Sequence, residues 1–250
     1  MDISHLESLR RAEVDKVKEW FKPGMRVLEI GGGYGFQASI ISSWGCMVTS
    51  IDVGKPLGSL SQRYPVQYYD GTKIPFPDHS FDIVFSSNVL EHIAQVESTL
   101  SEISRVLVPR GWAIHILPTP QWRLWTMLSH YPFLLKELIM MSRSSTHRSS
   151  QMAALSQGSH GSALTILKKV LFAEPHGEHG NALSELYTFS ARRWTGLFLA
   201  HGFNLIRCSG NGLFYTGYAI LPQLPMSIRR FLARIFGSSS RIYAMRCADS

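Results

Sequence analysis

The feature that most constrains the fold is a glycine-rich segment that follows a short apolar run. Residues 27–35 are Val-Leu-Glu-Ile-Gly-Gly-Gly-Tyr-Gly, and a helical apolar pattern continues over residues 36–44. The pattern predicts a buried strand that enters a glycine turn and then a helix. Glycines let the backbone turn sharply and approach a ligand with no Cβ in the way. The N-terminus of the following helix offers free N–H groups to a carboxylate or a phosphate.

Strand and helix patterns alternate along the chain. Apolar runs predict strands at residues 26–30, 46–51, 66–69, 81–86, 112–117, 203–208 and 240–247. Helical spacing of apolar residues predicts helices at 6–21, 36–44, 89–108, 191–201 and 226–236. Because strands that alternate with helices form parallel sheets covered on both faces, the sequence predicts an α/β fold.

Residues 1–250 are expected to form a single domain with two insertions. The first insertion, residues 119–190, contains an aromatic-rich part at 122–141 and a stretch at 142–162 with eight serines. Long irregular segments in compact domains are usually functional lids or disorder. The second insertion, residues 211–239, separates the last two predicted strands and contains the 226–236 helix.

Composition excludes several classes of protein. With 45% hydrophobic and 17% charged residues, the chain is not predicted to be disordered, collagen-like or a coiled coil. Its three cysteines are scattered, which favours a reducing compartment over a disulfide framework. The N-terminus has no signal-peptide pattern, and the most apolar stretch, residues 133–141, is too short and too charged to span a bilayer. We therefore expect a cytoplasmic protein.

The balance of charge favours acidic partners. The 25 lysines and arginines exceed the 18 acidic residues, for a formal net charge of +7. Such a surface suits anionic lipid, phosphorylated substrates or nucleic acid, and the charge does not choose among them.

Three carboxylates stand at or near the ends of the first three predicted strands. Glu29 precedes the glycine turn and can anchor either the amino group of a ligand or the turn itself. Asp52 closes the second strand, where a carboxylate can accept hydrogen bonds from both hydroxyls of a ribose. Asp70 and Gly71 close the third strand, where they can contact an adenine amino group. Open α/β sheets bind ligands at this edge.

The chain resembles the class I S-adenosylmethionine-dependent methyltransferases, in particular those that methylate small molecules, lipids and quinones. The glycines do not match the dinucleotide fingerprint, because Phe36 occupies its third glycine position. The resemblance covers residues 20–120 and the two terminal strands. It is carried by VLEIGGGYG (27–35), SIDVG (50–54), YDGTKIPFPDHSFDIVFSSNVLEHI (69–93) and ISRVLVPRGWAIHILP (103–118).

This resemblance implies a doubly wound, mostly parallel, seven-stranded Rossmann-like sheet and S-adenosylmethionine as the cofactor. It also implies that residues 119–190 cover the acceptor site. Ser87 and Asn88 would flank the methionine part of the cofactor. The other implied cofactor-binding residues are Glu29, Gly31, Gly33, Gly35, Asp52, Asp70 and Gly71.

Histidines are the candidate catalytic residues, because an acceptor hydroxyl or a protonated amine must lose a proton. His92 follows the fourth strand, where the resemblance places the transferred methyl group, and His176 and His179 lie in a glycine-rich loop. Histidine and carboxylate also suit divalent ions. We nevertheless expect no metal, because no third ligand is fixed in that loop. His115 alternates with apolar residues in a strand and is expected to be a core residue.

The resemblance and the composition together suggest methyl transfer to a small-molecule, lipid or glycan acceptor, at oxygen rather than at carbon or nitrogen. Two alternatives stay open: a non-catalytic protein that binds the cofactor, and a nucleic-acid methyltransferase. Ser-Ser-Asn-Val at 86–89 replaces the Asn/Asp-Pro-Pro-Tyr/Phe motif of the latter class, which makes nucleic acid the less favoured acceptor. The apolar and basic helix at 226–236 could either rest on an anionic membrane or pack on the domain.

Overall fold

The computed structural model describes residues 3–54, 61–143, 176, 183–218 and 224–248. The described residues contain a seven-stranded sheet with the strand order β3-β2-β1-β4-β5-β7-β6. The strands are β1 (Arg26–Ile30), β2 (Met47–Val53), β3 (Val66–Tyr69), β4 (Phe81–Ser87), β5 (Leu107–Pro118), β6 (Phe203–Gly210) and β7 (Ser240–Cys247). The described α-helices are α1 (Ile3–Asp15), α2 (Phe36–Ser43), α3 (Val96–Val106), α4 (Pro120–Arg143), α5 (Ser184–Thr188), α6 (Ala191–Ala200) and α7 (Met226–Phe236).

The sheet is parallel from β3 to β5, and β7 alone runs against its neighbours. Strand β1 pairs with β2 and β4 in parallel, and β4 pairs with β5 in the same direction. Strand β7 is antiparallel to both β5 and β6. The structure therefore confirms the predicted doubly wound, mostly parallel, seven-stranded fold.

The alternation of side chains along the central strands explains the two covered faces. Leu28 and Ile30 pack into one core together with Trp194 and Phe198 of α6. Val27 points to the opposite face and packs into a second core with residues of α1 and α2. Successive residues of a strand face opposite sides, so an uninterrupted apolar run such as Val27–Leu28 supplies both cores.

Four predicted elements were confirmed to the residue: the strands β1, β3 and β7 and the helix α7. Two predicted helices overran the observed ones by more than one residue. The first ends at Asp15 and is followed by a 3₁₀ turn at Lys18–Trp20. The second is a 3₁₀ turn at Leu90–His92 and then α3, because Ile93 takes an extended backbone and packs against the core between them. Apolar spacing alone did not reveal these breaks.

Helix α4 forms the first part of the predicted 119–190 insertion. The side chain of Thr119 accepts a hydrogen bond from the backbone N–H of Trp122 at 3.1 Å, as an N-cap residue does. Most of the serine-rich stretch, residues 144–162, lies outside the described residues, as does His179. Within the part of the chain that is described, every helix is too short or too polar to cross a membrane.

Candidate active site

The glycine turn lies where the carboxyl ends of β1 and β2 meet. Gly35 has φ +80° and directly precedes the first residue of α2, so a left-handed residue joins the turn to the helix. Gly32 has no room for a side chain, because an added Cβ would come within 2.0 Å of Ser50 Oγ and 3.0 Å of Glu29 Oε2. The turn is therefore packed directly onto β1 and β2, and the backbone itself forms the wall of the site.

Glu29 lies buried beneath this turn. Its Oε2 accepts a hydrogen bond from Ser50 Oγ at 2.6 Å. Burial raises the pKa of Glu29 to about 7, although the hydrogen bond from Ser50 opposes the shift. The Glu29 carboxylate is thus held by β2 and packs against the turn at Gly32, and its contact with a ligand stays a prediction.

Asp52 lies one residue before the end of β2, within the strand and not after it as predicted. Its Oδ2 accepts a hydrogen bond from Gly33 N–H at 2.6 Å, and its Oδ1 accepts one from Val53 N–H at 2.7 Å. The carboxylate therefore ties the glycine turn to β2 while it remains half-buried at the ligand-binding edge of the sheet.

Asp70 and Asn88 occupy the ends of the two flanking strands. Asp70 is exposed just after β3, and hydrogen bonds from the Thr72 backbone and side chain lower the pKa of its carboxyl. Gly71 follows it with φ +79°. Asn88 follows β4 with φ +55°, and its Nδ2 donates to Ser87 Oγ at 3.1 Å. The predicted cofactor-binding residues thus line one continuous edge, from β3 across β2 and β1 to β4.

These groups fit S-adenosylmethionine as the family resemblance implies. Asp52 and Asp70 are acceptors for the hydroxyl and amino groups of an adenosine. The N–H groups at the start of α2 suit a carboxylate. In class I methyltransferases, this cofactor supplies an activated methyl group, and the assignment of these residues to its binding stays a prediction.

Two of the three predicted catalytic histidines meet in space. The rings of His92 and His176 are 4.6 Å apart in an edge-to-face arrangement, and His176 makes a second contact of 4.6 Å with the ring of Trp122. Behind them lies Glu91, whose Oε1 is 3.9 Å from His92 Nε2. The turn after β4 and the first insertion therefore build one polar cluster of Glu91, His92 and His176.

The protein environment changes the protonation of this cluster. Burial raises the pKa of Glu91 to about 8, and neither of its oxygens has a side-chain hydrogen-bond partner. The ring of His176 keeps some solvent access, yet desolvation and the nearby His92, Arg123 and Arg10 lower its pKa to about 4. Near neutral pH, His176 is therefore an uncharged imidazole that can accept a proton.

The cluster also has the composition of a metal site, since its candidate ligand atoms lie within 4.8 Å of one another. The guanidinium groups of Arg10 and Arg123 nevertheless place positive charge beside His176, and Arg10 acts on Glu91 as well. Because positive neighbours disfavour a divalent cation, the surroundings suit proton transfer better than metal binding.

The position of His176 depends on a buried ion pair that sequence patterns did not reveal. Arg123 Nε lies 2.6 Å from Glu185 Oε2, and both side chains are almost completely buried. The other oxygen of Glu185 accepts a hydrogen bond from the backbone N–H of His176 at 2.6 Å. Helices α4 and α5 thus hold the histidine over the end of β4. In the sequence, the signal for this pair is weak: Arg123 and Glu185 carry opposite charges and each stands among apolar residues.

A second polar network closes the site from the N-terminal side. Glu13 of α1 is fully buried and accepts hydrogen bonds from Tyr215 Oη at 2.6 Å, Arg10 Nη1 at 2.7 Å and Asn211 Nδ2 at 2.9 Å. This network joins α1 to the segment after β6. Arg10 and Tyr215 were missed in the sequence because they lie in segments without a motif.

One cavity adjoins the cluster at His176, and a second shares a wall with the first. The first, about 300 Å³, is lined by Asn88, Trp122, Arg123, His176 and Tyr215 among others, so it reaches the predicted methyl-transfer position. The second, about 330 Å³, is lined mainly by apolar side chains, including Trp125, Leu128, Phe214 and Phe236. The two cavities share Tyr215, Thr216 and Tyr218 in their walls.

The prediction that His115 belongs to the core is confirmed. It is fully buried in β5, forms a 2.8 Å hydrogen bond with Ser86 and stacks on the ring of Phe198. Burial lowers its pKa to about 3, so it stays neutral in the folded protein.

Comparison with known families agrees with this geometry. Residues 28–115, from β1 into β5, match the family model described as methyltransferase domain. This part of the chain is a methyltransferase domain. The match confirms the predicted resemblance, and the methyltransferase domain contains the glycine turn, the three edge carboxylates and His92.

Curated relatives share this domain over about a third of the chain. A sterol 24-C-methyltransferase of Gibberella zeae is 37% identical over 101 residues, which cover 36% of this chain and 27% of the relative. A demethylmenaquinone methyltransferase of Corynebacterium kroppenstedtii is 30% identical over 92 residues, which cover 36% of this chain and 40% of the relative. The chain thus matches well under half of the length of either protein.

Solved structures support the fold over nearly the whole chain. A SAM-dependent methyltransferase from Archaeoglobus fulgidus superposes with a TM-score of 0.56 at 16% identity, covering 96% of this chain and 94% of that protein. A 1,6-didemethyltoxoflavin-N1-methyltransferase from Burkholderia thailandensis was solved with S-adenosylhomocysteine. It gives a TM-score of 0.54 at 14% identity, covering 99% of this chain and 82% of that protein. The fold around the methyltransferase domain is therefore the class I methyltransferase fold.

Proposed function

We propose that this chain transfers a methyl group from S-adenosylmethionine to an oxygen atom of an acceptor with a substantial apolar part. The observation that carries the proposal is the cavity that joins Asn88, at the end of β4, to the neutral imidazole of His176. A cofactor held along the edge from β3 to β4 would direct its methyl group towards this cavity. The acceptor would enter from the opposite side.

Oxygen is the atom that best uses the polar cluster. When a hydroxyl attacks the methyl group, the oxygen–carbon bond forms, the sulfur–carbon bond breaks, and the hydroxyl proton must leave. His176 is uncharged and lines the cavity, so its imidazole can take that proton. His92 lies against the histidine ring and Glu91 lies behind His92, so both position the base. The products are a methyl ether and S-adenosylhomocysteine, with the proton on His176.

The apolar second cavity supports an acceptor of lipid type. It shares a wall with the reaction cavity, and its volume of about 330 Å³ lies in the range of small-ligand sites. A hydroxyl at Tyr215 and His176 with an apolar body along Trp125 and Phe214 would fill both cavities. Relatives named as sterol and demethylmenaquinone methyltransferases agree with this class of acceptor.

The remaining predictions belong to this proposal. The three cysteines are all free, which fits a reducing, cytoplasmic location. A lid formed by residues 119–190 agrees with helix α4, since Trp122 and Arg123 lie in the wall of the reaction cavity. The second insertion, residues 211–239, contributes Tyr215 and Tyr218 to the same wall.

Calorimetric titration with S-adenosylmethionine, and separately with NADH, tests the cofactor. We expect saturable binding of the first and none of the second. The transferase activity is then tested with methyl-labelled S-adenosylmethionine and a total lipid extract, where we expect label in a solvent-extractable product. Binding without turnover on the lipid extract or on a water-soluble metabolite fraction would favour the non-catalytic alternative, and label in added RNA or DNA would favour the nucleic-acid alternative.

A further inference from the structure

Helix α7 exposes its apolar face. Phe231 and Ile235 are each 59% exposed and Ile228 is 42% exposed, whereas Arg229 is buried. Most of the face that could have packed on the domain therefore points to solvent in this structure. Burying such side chains would be favourable, so their exposure calls for a partner.

Arg229 explains why the helix sits this way. Its guanidinium donates to the backbone carbonyls of Leu224 at 3.1 Å and Phe214 at 3.3 Å. At the other end of α7, Phe236 packs on Trp125, with ring centres 4.8 Å apart, and its carbonyl accepts a hydrogen bond from Trp125 Nε1. The polar anchor fixes the helix to the segment before it and the aromatic contact fixes it to α4, which leaves Ile228, Phe231 and Ile235 facing outward.

Helix α4 adds apolar residues of its own. Leu124, Leu128 and Leu135 are 43%, 48% and 59% exposed, and their spacing places them on one side of the helix. Leu128 also lines the apolar cavity, which lies between α4 and α7. We name the set of Leu124, Leu128, Leu135, Ile228, Phe231 and Ile235 the α4–α7 surface. Through Leu128, it reaches the wall of the cavity proposed for the apolar part of the acceptor.

The charges beside this surface suit anionic lipid. Arg230 and Arg234 are exposed on α7, and the helix contains no acidic residue. An interfacial helix has this composition, with an apolar face for the acyl region and cations at the level of the headgroups. The net charge of +7 also favours attraction of the whole chain to an anionic surface.

From these observations, we propose that the α4–α7 surface docks on an anionic phospholipid bilayer. The two helices would lie in the interface with their exposed apolar side chains among the acyl chains. The apolar cavity between them would then open towards the membrane, from which a lipid acceptor could enter without crossing water. The docking itself does not depend on methyl transfer, so it can be measured without cofactor or acceptor.

Vesicle sedimentation with the full chain tests the proposal. We expect it to bind vesicles of equal parts phosphatidylcholine and phosphatidylglycerol, and to bind pure phosphatidylcholine vesicles more weakly. Replacing Phe231→Ser and Ile235→Ser together should weaken binding by about tenfold or more, because two large apolar side chains no longer enter the bilayer. Replacing Arg230→Gln and Arg234→Gln together should reduce the preference for phosphatidylglycerol and its dependence on salt.

Matched controls come from two exposed apolar residues elsewhere. Leu199 on α6 and Ile206 on β6 are 55% and 58% exposed, and serine at either position should leave vesicle binding unchanged. The proposal is overturned if the unmodified chain does not bind either vesicle, or if the Phe231/Ile235 variant binds as well as the parent. It is also overturned if light scattering shows a dimer that this variant dissociates. Each variant should also bind S-adenosylmethionine with unchanged affinity. A loss of vesicle binding then reports on membrane docking and not on the proposed methyl transfer.

Discussion

The imidazole rings of His92 and His176 lie 4.6 Å apart, although one follows β4 and the other belongs to the insertion between β5 and β6. Since the pKa of His176 is lowered to about 4, we expect it to remain a neutral base throughout the usual assay range. The value of kcat/KM should therefore stay flat from pH 8 down to about pH 5.5, whereas an ordinary histidine base loses activity near pH 6.5.

Replacing His176→Asn tests this assignment. We expect kcat to fall by about a hundredfold or more for a hydroxyl acceptor, the range typical of a lost general base, with little change in cofactor affinity. His201, which bonds to the backbone of its own helix, offers the matched control His201→Asn. If chelators abolish the activity and a divalent ion restores it, the cluster of Glu91, His92 and His176 holds a metal and the base assignment is wrong.

Glu91 should destabilise the protein at alkaline pH. Its folded pKa of about 8 lies above the ordinary glutamate value of 4.5, so the unfolded chain ionises first and stability falls as pH rises between these values. A buried carboxylate without a side-chain hydrogen-bond partner costs about 1–3 kcal/mol or more. Glu91→Gln should therefore raise the free energy of unfolding by that amount at pH 9 and leave it unchanged at pH 4. Denaturant titrations of both proteins at the two pH values measure the difference, and equal effects at both would contradict the shift.

The glycine turn should not accept a side chain at position 32. Gly32→Ala places a Cβ within 2.0 Å of Ser50 Oγ, so either the turn or β2 must move. We expect a lower melting temperature and a loss of S-adenosylmethionine binding by calorimetry. Gly196 in α6 is the control, because an added Cβ meets nothing within 4 Å there. Gly196→Ala should stabilise the protein by about 0.4–1 kcal/mol, with cofactor affinity unchanged.

Asp52 should contribute both to the stability of the glycine turn and to the affinity for the cofactor. Asp52→Ala removes the acceptor for the Gly33 N–H, a charge-assisted hydrogen bond worth about 1.5–3 kcal/mol. It also removes the proposed ribose contact, so we expect a loss of affinity for S-adenosylmethionine in a protein that still folds. Asp52→Asn keeps an acceptor oxygen and should recover part of the affinity. An affinity that is unchanged in the alanine variant would remove Asp52 from the proposed site.

The Glu13 network should be needed for stability. Glu13→Ala leaves Arg10 and Tyr215 without their shared acceptor, and breaking a buried ion pair of this kind costs about 3–5 kcal/mol. The ion pair of Glu7 with Arg63 serves as the control, since it lies nearer the surface. Glu7→Ala should cost at most about 1 kcal/mol. Chemical denaturation compares the two variants, and equal losses would contradict the role assigned to the network.

The sequence alone predicted the sheet, which the structure confirms, and the edge proposed for the cofactor. Val27 to Ile30 could only form a buried strand, and the glycines after Ile30 required a turn open to a ligand, because both features depend on neighbouring residues. The end of β3 before Asp70 followed from the same local patterns, whereas β2 continues one residue past Asp52. The family match over residues 28–115 agrees with these local features.

Only the tertiary structure decided what surrounds that edge. It brought His176 against His92, paired Arg123 with Glu185 and joined Glu13 to Tyr215, all of which lie far apart along the chain. It also placed the apolar face of α7 outward, because Arg229 donates hydrogen bonds to backbone carbonyls on the inner side. Helical periodicity does not reveal such contacts. Local patterns fix strands and turns because adjacent residues cause them, whereas long-range contacts depend on how the finished elements pack.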